Sequence, residues 1–364
     1  MKTNAVFLYI ILILCSFTSV AKFSTLDESL KARALTQQID MLGKEGEFSG
    51  SVLFARKGQV LFHKVVGQIH PQSNQLITES SAFNLGLLSK QFTAMAIMIL
   101  RYQGKLDYDK PIQAYLPHFP YPEVTARHLL THTSGIVSYE ELIDKPIPKQ
   151  LFTNKDIVSL FIQFTPNLAF IPGSQYNVSN TDYVMLAHIV ESVSEQSLEE
   201  FAKQHIFTPL NMHNTRIFTA LSKNAEFKNR VYGLSGSKQN DQVQVKGVTG
   251  GGAVYSTAVD LLKWHQGLNS NKLLPPSLLN EAFSPAILND GSTEYYGFGW
   301  VIDEHRPEIV SHSNDVLGSN AFIIRNMKTD ELLILMSNYT KDIKFTKLKA
   351  LVYSGFETQF SDIY

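Results

Sequence analysis

The chain of 364 residues is 44% apolar and 18% charged, with a net charge of −1. Such a composition folds rather than stays disordered, and the length suits one large domain or two packed lobes. No basic stripe interleaves with aromatics, so nucleic acid is not an expected partner.

The N-terminus reads as a secretory signal. Lys2 gives a positive start, Ala5 to Phe17 is nearly all apolar, and Ser19-Val20-Ala21 has the small-x-small form of a cleavage site. The apolar run is about 13 residues, short for a bilayer span, so cleavage after Ala21 is expected, with no stable membrane span afterwards. An uncleaved anchor is the alternative. Cys15 is the sole cysteine, and Leu14 stands before it where lipoprotein signals take a small residue. The mature chain would hold no cysteine, hence no disulfide, thiol nucleophile or cysteine metal site. A secreted or periplasmic location follows.

Residues 24–45 have helical spacing, with Leu26, Leu30, Leu35, Ile39 and Leu42 on roughly one face. Two strands are predicted next, Gly50 to Ala55 and Gln59 to Val66, with Arg56-Lys57-Gly58 as the hairpin turn. Phe92 to Leu100 is apolar nearly all round, the mark of a helix buried between two lobes, and Gly104 ends it. Further helices are read at Asp182 to Val193, Ser197 to His205 and Thr257 to Leu268. Strands return at Gly297 to Ile302, Asn320 to Arg325 and Leu332 to Ser337, with Asn326 to Asp330 turning between the last two, and residues 341–360 form a closing amphipathic helix. Strands at both ends and helices between them predict one sheet built from both termini, an α+β arrangement with an inserted helical lobe.

The stretch Phe83-Asn84-Leu85-Gly86-Leu87-Leu88-Ser89-Lys90-Gln91-Phe92-Thr93-Ala94 resembles the active-site helix of the class C β-lactamase and penicillin-binding-protein family, whose pattern is Ser-x-x-Lys. Lys90 keeps the lysine, but Leu87 stands at the serine. The resemblance extends through Leu129-Leu130-Thr131-His132-Thr133-Ser134-Gly135, Gly251-Gly252 with Tyr255-Ser256-Thr257 and Asp260-Leu261, and Tyr296-Gly297-Phe298-Gly299-Trp300. It covers about residues 48 to 340. It implies the β-lactamase/transpeptidase-like fold: a leader over residues 1–21 and one domain over 22–364, with a sheet lobe of about 22–80 and 291–364 and a helical lobe of about 81–290.

Serine acyl transfer requires a nucleophile, a base in hydrogen-bond reach, and donors for the developing oxyanion. On a helix, Ser-x-x-Lys sets hydroxyl and amine one turn apart on one face, and an isobutyl group at Leu87 removes the attack. The resemblance places the family's Tyr-x-Asn at Val178 and Asn180, counted from Pro172-Gly173; Tyr176 falls two residues early. The third motif, usually Lys-Thr-Gly or His-x-Gly, is His312-Ser313-Asn314, where Asn314 brings a side chain into a slot kept for a ligand backbone. The site is thus read as degenerate at Leu87, Lys90, Val178, Asn180, His312 and Asn314. No catalytic set is intact, and Lys90, Asn180, Tyr176, His312 and Ser313 are the candidate ligand-binding residues. Asn180 is the expected polar partner for Lys90, since a buried lysine requires one.

Other serines are weaker candidates. Ser89 lies about 200° around the helix from Leu87, and Ser235-Gly236-Ser237-Lys238 matches Ser-x-x-Lys only inside a polar loop. Ser179 and Ser313 sit within the altered motifs. His128 and His132 are spaced like metal ligands on a helix, but nothing completes the set, and Gly250-Gly251-Gly252 reads as a structural turn rather than a phosphate cradle. No metal or cofactor is expected. The leading expectation is a secreted pseudoenzyme binding a peptide or peptidoglycan-like ligand or a protein partner. The alternatives are an esterase, β-lactamase or peptidase with a rearranged site, and an assembly unit with a filled cleft.

Overall fold

The computed structural model describes residues 29–70, 72–143, 152–222, 227–235, 238–239, 247–316, 318–339, 343–356, 358 and 360. The leader, Cys15 and Leu26 lie outside them, as do Gly236 and Ser237. Six antiparallel strands form the main sheet, in the spatial order Val301–Ile302, Ile309–Val316, Ser319–Asn326, Glu331–Ser337, Gly50–Arg56, Gln59–Val66. The seam between the two ends of the chain is the pairing of Gly50–Arg56 with Glu331–Ser337, in register from Gly50 opposite Ser337 to Arg56 opposite Glu331. Arg56 Nε also donates to Glu331 Oε1 at 2.8 Å across that seam.

Alternation along the strands splits the core in two. Val52, Phe54, Phe322, Ile324, Leu333 and Leu335 face one layer. It is covered by the helix over residues 29–44, through Leu35, Ile39 and Leu42, and by the helix Ile343–Phe356. Leu30, expected on the same face as Leu35, is instead 55% exposed. Leu53, Ala55, Ala321, Ile323, Ile334 and Met336 face the opposite layer, where the inserted helices pack.

Among those helices, Lys90–Tyr102 is buried from Lys90 through Leu100, as a helix with no polar face must be. Gly104, at φ +71°, turns the chain after it. The flanking helices Asn180–Ser194 and Ala258–Leu268 start at polar signals. Thr257 caps the latter by accepting from Asp260 N at 3.1 Å, and Ser197 closes a capping box with Glu200 before Leu198–Ala202. The glycine run is a structural turn: a Cβ on Gly250 would lie 2.1 Å from the Tyr183 carbonyl oxygen. One predicted strand shrinks. Of Gly297 to Ile302, only Val301–Ile302 pairs. Gly299, at φ +79°, bends the chain against the central helix, where a Cβ would meet Gln91 N at 2.9 Å.

Candidate functional site

The turn Gly86–Ser89 feeds the central helix and packs against the strand Ile309–Val316. Leu87 is half-buried in that turn. Lys90, one turn on, is fully buried. Its Nζ lies 3.2 Å from His132 Nε2 and 5.4 Å from the centre of the Tyr183 ring. His132 Nδ1 is 2.8 Å from Asp182 Oδ2, and Ser134 Oγ donates to Asp182 Oδ1 at 2.5 Å. With Asp182 ionised, the ring's Nδ1–H donates to the carboxylate and Lys90 donates to Nε2. The lysine and the carboxylate are thereby joined through a neutral imidazole. Ser179 N, 3.3 Å from the same Nδ1, then meets no lone pair there.

Burial sets the electrostatics. It pulls the Lys90 pKa down to about 8, against the opposing charges of Asp182 and Glu140. It raises the Asp182 carboxyl well above the usual range, opposed by the Ser134 hydrogen bond and by Lys90. His132 is held far below its ordinary value by burial and then by Lys90 and His312, so it stays neutral. The dry surroundings are aromatic: Tyr183, Tyr296 and Tyr176 lie 5.1, 5.0 and 6.4 Å from the His132 ring.

His312 is also buried. Its Nδ1 donates to the Gly299 carbonyl at 2.7 Å, which the bend at Gly299 supplies. Nε2 is therefore the unprotonated nitrogen. Burial, then Lys90, pushes its pKa down to about 4. Asn314, two residues on, is 3% exposed; its Oδ1 accepts from Leu87 N at 3.1 Å, and its Nδ2 donates to the Ser319 carbonyl at 3.0 Å.

Several sequence expectations change. Lys90 is held by His132 and Asp182, not by Asn180, which is half-buried beside Gly251. A neutral amide could not balance a buried ammonium, whereas a carboxylate does. Ser313 is not in the cleft: it pairs with Phe322 of the terminal-helix layer, while His312 and Asn314 pair with Ile323 and Ala321 on the other face. Period-two alternation turns its side chain away. Val178 is 52% exposed, and it is Tyr176 that packs on Tyr296, at 5.7 Å, beside His132. Ser89 is buried and accepts from Val254 N at 3.1 Å, facing away from the cleft. His128 and His132 do separate work. His128 Nδ1 accepts from Thr125 N at 3.2 Å in a capping box.

Sequence reasoning missed the His132–Asp182–Ser134 arm. The signal that could have found it was physical: a lysine on an all-buried helix calls for a carboxylate, and Asp182 is the acid at the start of the helix that follows Tyr176 and Val178.

An antiparallel sheet closed by both termini, with a lysine presented at the start of a buried helix at the lobe junction, defines the β-lactamase and penicillin-binding-protein class of fold. The family model described as Beta-lactamase matches residues 33–353, and the chain belongs to that family. It is 33% identical over 332 residues to penicillin-binding protein 4* of Bacillus subtilis, covering 86% of this chain and 73% of that protein. It is 28% identical over 334 residues to a putative penicillin-binding protein, PbpX, of the same organism, covering 90% and 80%. The crystal structure of a penicillin-binding protein from Bacillus halodurans superposes with a TM-score of 0.75 at 23% identity, over 86% of this chain and 98% of that one. No helix among the described residues is long and apolar enough to cross a membrane.

Proposed function

We propose that this protein is a secreted, non-acylating member of its family that uses the cleft to bind a peptide or peptidoglycan-like ligand. One observation carries the reading. Leu87 stands one helical turn before Lys90 where a hydroxyl is needed, and the Lys90 ammonium is turned inward to His132. Removing the nucleophile of a serine hydrolase costs on the order of 10⁶ in turnover. The ligand class rests on the relatives, which are named penicillin-binding proteins, and on the cleft groups that can meet a polar ligand: Tyr176 and the His312 Nε2 lone pair. Secretion rests on the apolar leader ahead of Ala21. Incubation of the native protein with a fluorescent penicillin is expected to leave it unlabelled; stoichiometric labelling would overturn the proposal.

A second reading, a hydrolase with a rearranged site, is favoured by Ser179. Its hydroxyl is buried without a hydrogen-bond partner among the described residues, and its backbone N lies 3.3 Å from His132 Nδ1. Steady ester turnover that disappears in both Ser179→Ala and Lys90→Ala supports that reading. No turnover across an ester and amide panel removes it.

A further inference from the structure

The amide at the nucleophile position is already occupied. In acyl transfer by a serine, the backbone N–H of the nucleophile is one of the donors that hold the substrate's carbonyl oxygen as it becomes an oxyanion. Here that N–H belongs to Leu87, and the Asn314 side-chain oxygen sits 3.1 Å from it. An amide oxygen has the planar geometry and partial negative charge of the acyl oxygen it displaces.

The fit is enforced from three sides. Asn314 Nδ2 is tied to the Ser319 carbonyl at 3.0 Å, which fixes which end of the amide faces Leu87. Asn314 is buried and rigidly placed on the strand Ile309–Val316. Gly86, at φ +50° and with its N bonded to Asn84 Oδ1 at 2.9 Å, leaves the room. A Cβ there would lie 2.1 to 2.4 Å from the Asn314 amide atoms. Chain conformation and side chain have been accommodated together, as a lock accommodates its bolt.

We propose that Asn314 is the specificity-determining residue of the cleft: its carboxamide fills the acyl-oxygen pocket from within and excludes carboxylates and other oxyanions from the Leu87 amide. This rests on the non-acylating reading and adds to it, because the pocket is closed by a residue other than Leu87. Ligands that bind must do so without placing an acyl oxygen on that amide. Restoring a hydroxyl at position 87 alone leaves the pocket blocked.

The test reads the Leu87 amide directly in uniformly ¹⁵N-labelled protein. In the native chain its hydrogen exchange is expected to be slow and its resonance unmoved by acetate. In Asn314→Gly, exchange should accelerate about tenfold or more for one lost hydrogen bond, and acetate should shift the resonance saturably. Asn314→Ser, whose shorter side chain removes the amide oxygen with less backbone freedom, serves if the glycine variant does not fold. A saturable acetate shift at Leu87 in the native protein, or unchanged Leu87 exchange in whichever variant folds, overturns the proposal. Penicillin labelling of the native protein at a distant serine would sink the non-acylating reading while leaving a slow Leu87 amide, so the two failures are distinguishable.

Discussion

Replacing Asp182 with alanine is the sharpest perturbation of this site, because it strands a buried ammonium. The path from Lys90 Nζ through the His132 ring to Asp182 Oδ2 has hydrogen-bond legs of 3.2 and 2.8 Å. The charges are therefore on the order of 8 Å apart and attract by about 2 kcal/mol at an effective dielectric near 20. The carboxylate also accepts from Ser134 and His132, and each hydrogen bond to a charged group adds about 1.5–3 kcal/mol. These contributions overlap, and breaking a buried pair from one side costs about 3–5 kcal/mol. Asp182→Ala should therefore lower the unfolding free energy by about 3–5 kcal/mol, read as the urea midpoint at constant slope. Lys90→Met relieves the stranded charge. The double variant should lie about 2 kcal/mol above the sum of the single losses. Asn180→Ala, at the position once expected to hold Lys90, should cost less than about 1 kcal/mol. Additivity of Asp182→Ala and Lys90→Met within about 0.5 kcal/mol, or an Asn180→Ala loss equal to that of Asp182→Ala, would refute the reasoning.

Two further predictions rest on other buried groups. His312 titrates near pH 4 in the fold, below the ordinary histidine value of 6.5, so the unfolded chain binds the extra proton between those pH values. Stability should rise with pH across this window, and about 2 kcal/mol should be lost on going from pH 7 to pH 4.5. In His312→Asn, which keeps a donor for Gly299, that part of the slope should vanish; an identical pH profile counts against the placement. Arg325 is 1% exposed, stacks 5.0 Å from Phe283, donates from Nη2 to Asn269, and leaves Nε and Nη1 without a hydrogen-bond partner among the described residues. Burial takes its pKa down to about 9, with Asp330 opposing. Arg325→Met should be neutral or stabilising by about 1–4 kcal/mol in thermal unfolding; a loss beyond about 2 kcal/mol would show that the guanidinium is better satisfied than its contacts indicate.

Local chemistry was legible wherever it depends on neighbours in the chain. The hairpin at Lys57-Gly58, with both residues at positive φ, the helices read from Ser197 and Thr257, and the buried helix after Lys90 all followed from spacing and side-chain type. Ser313 was misread as a ligand contact, although strand alternation with the inward His312 turns it outward. Gly297 to Trp300 misled because an apolar, aromatic run looks like a strand, while its glycines bend it to deliver a carbonyl to His312.

By itself, the sequence determined that position 87 has no hydroxyl, because a side chain's chemistry travels with its residue. It also marked many of the strands and helices, because periodicity is local, but not the central strand Ile309–Val316 or the helix Asn154–Phe164. Only the tertiary structure decided that Lys90 pairs through His132 with Asp182, that Tyr176 packs beside His132 while Val178 is exposed, and that Asn314 reaches the Leu87 amide. Those choices depend on which groups are removed from water together, and at what distance, and residue spacing along a chain carries neither quantity.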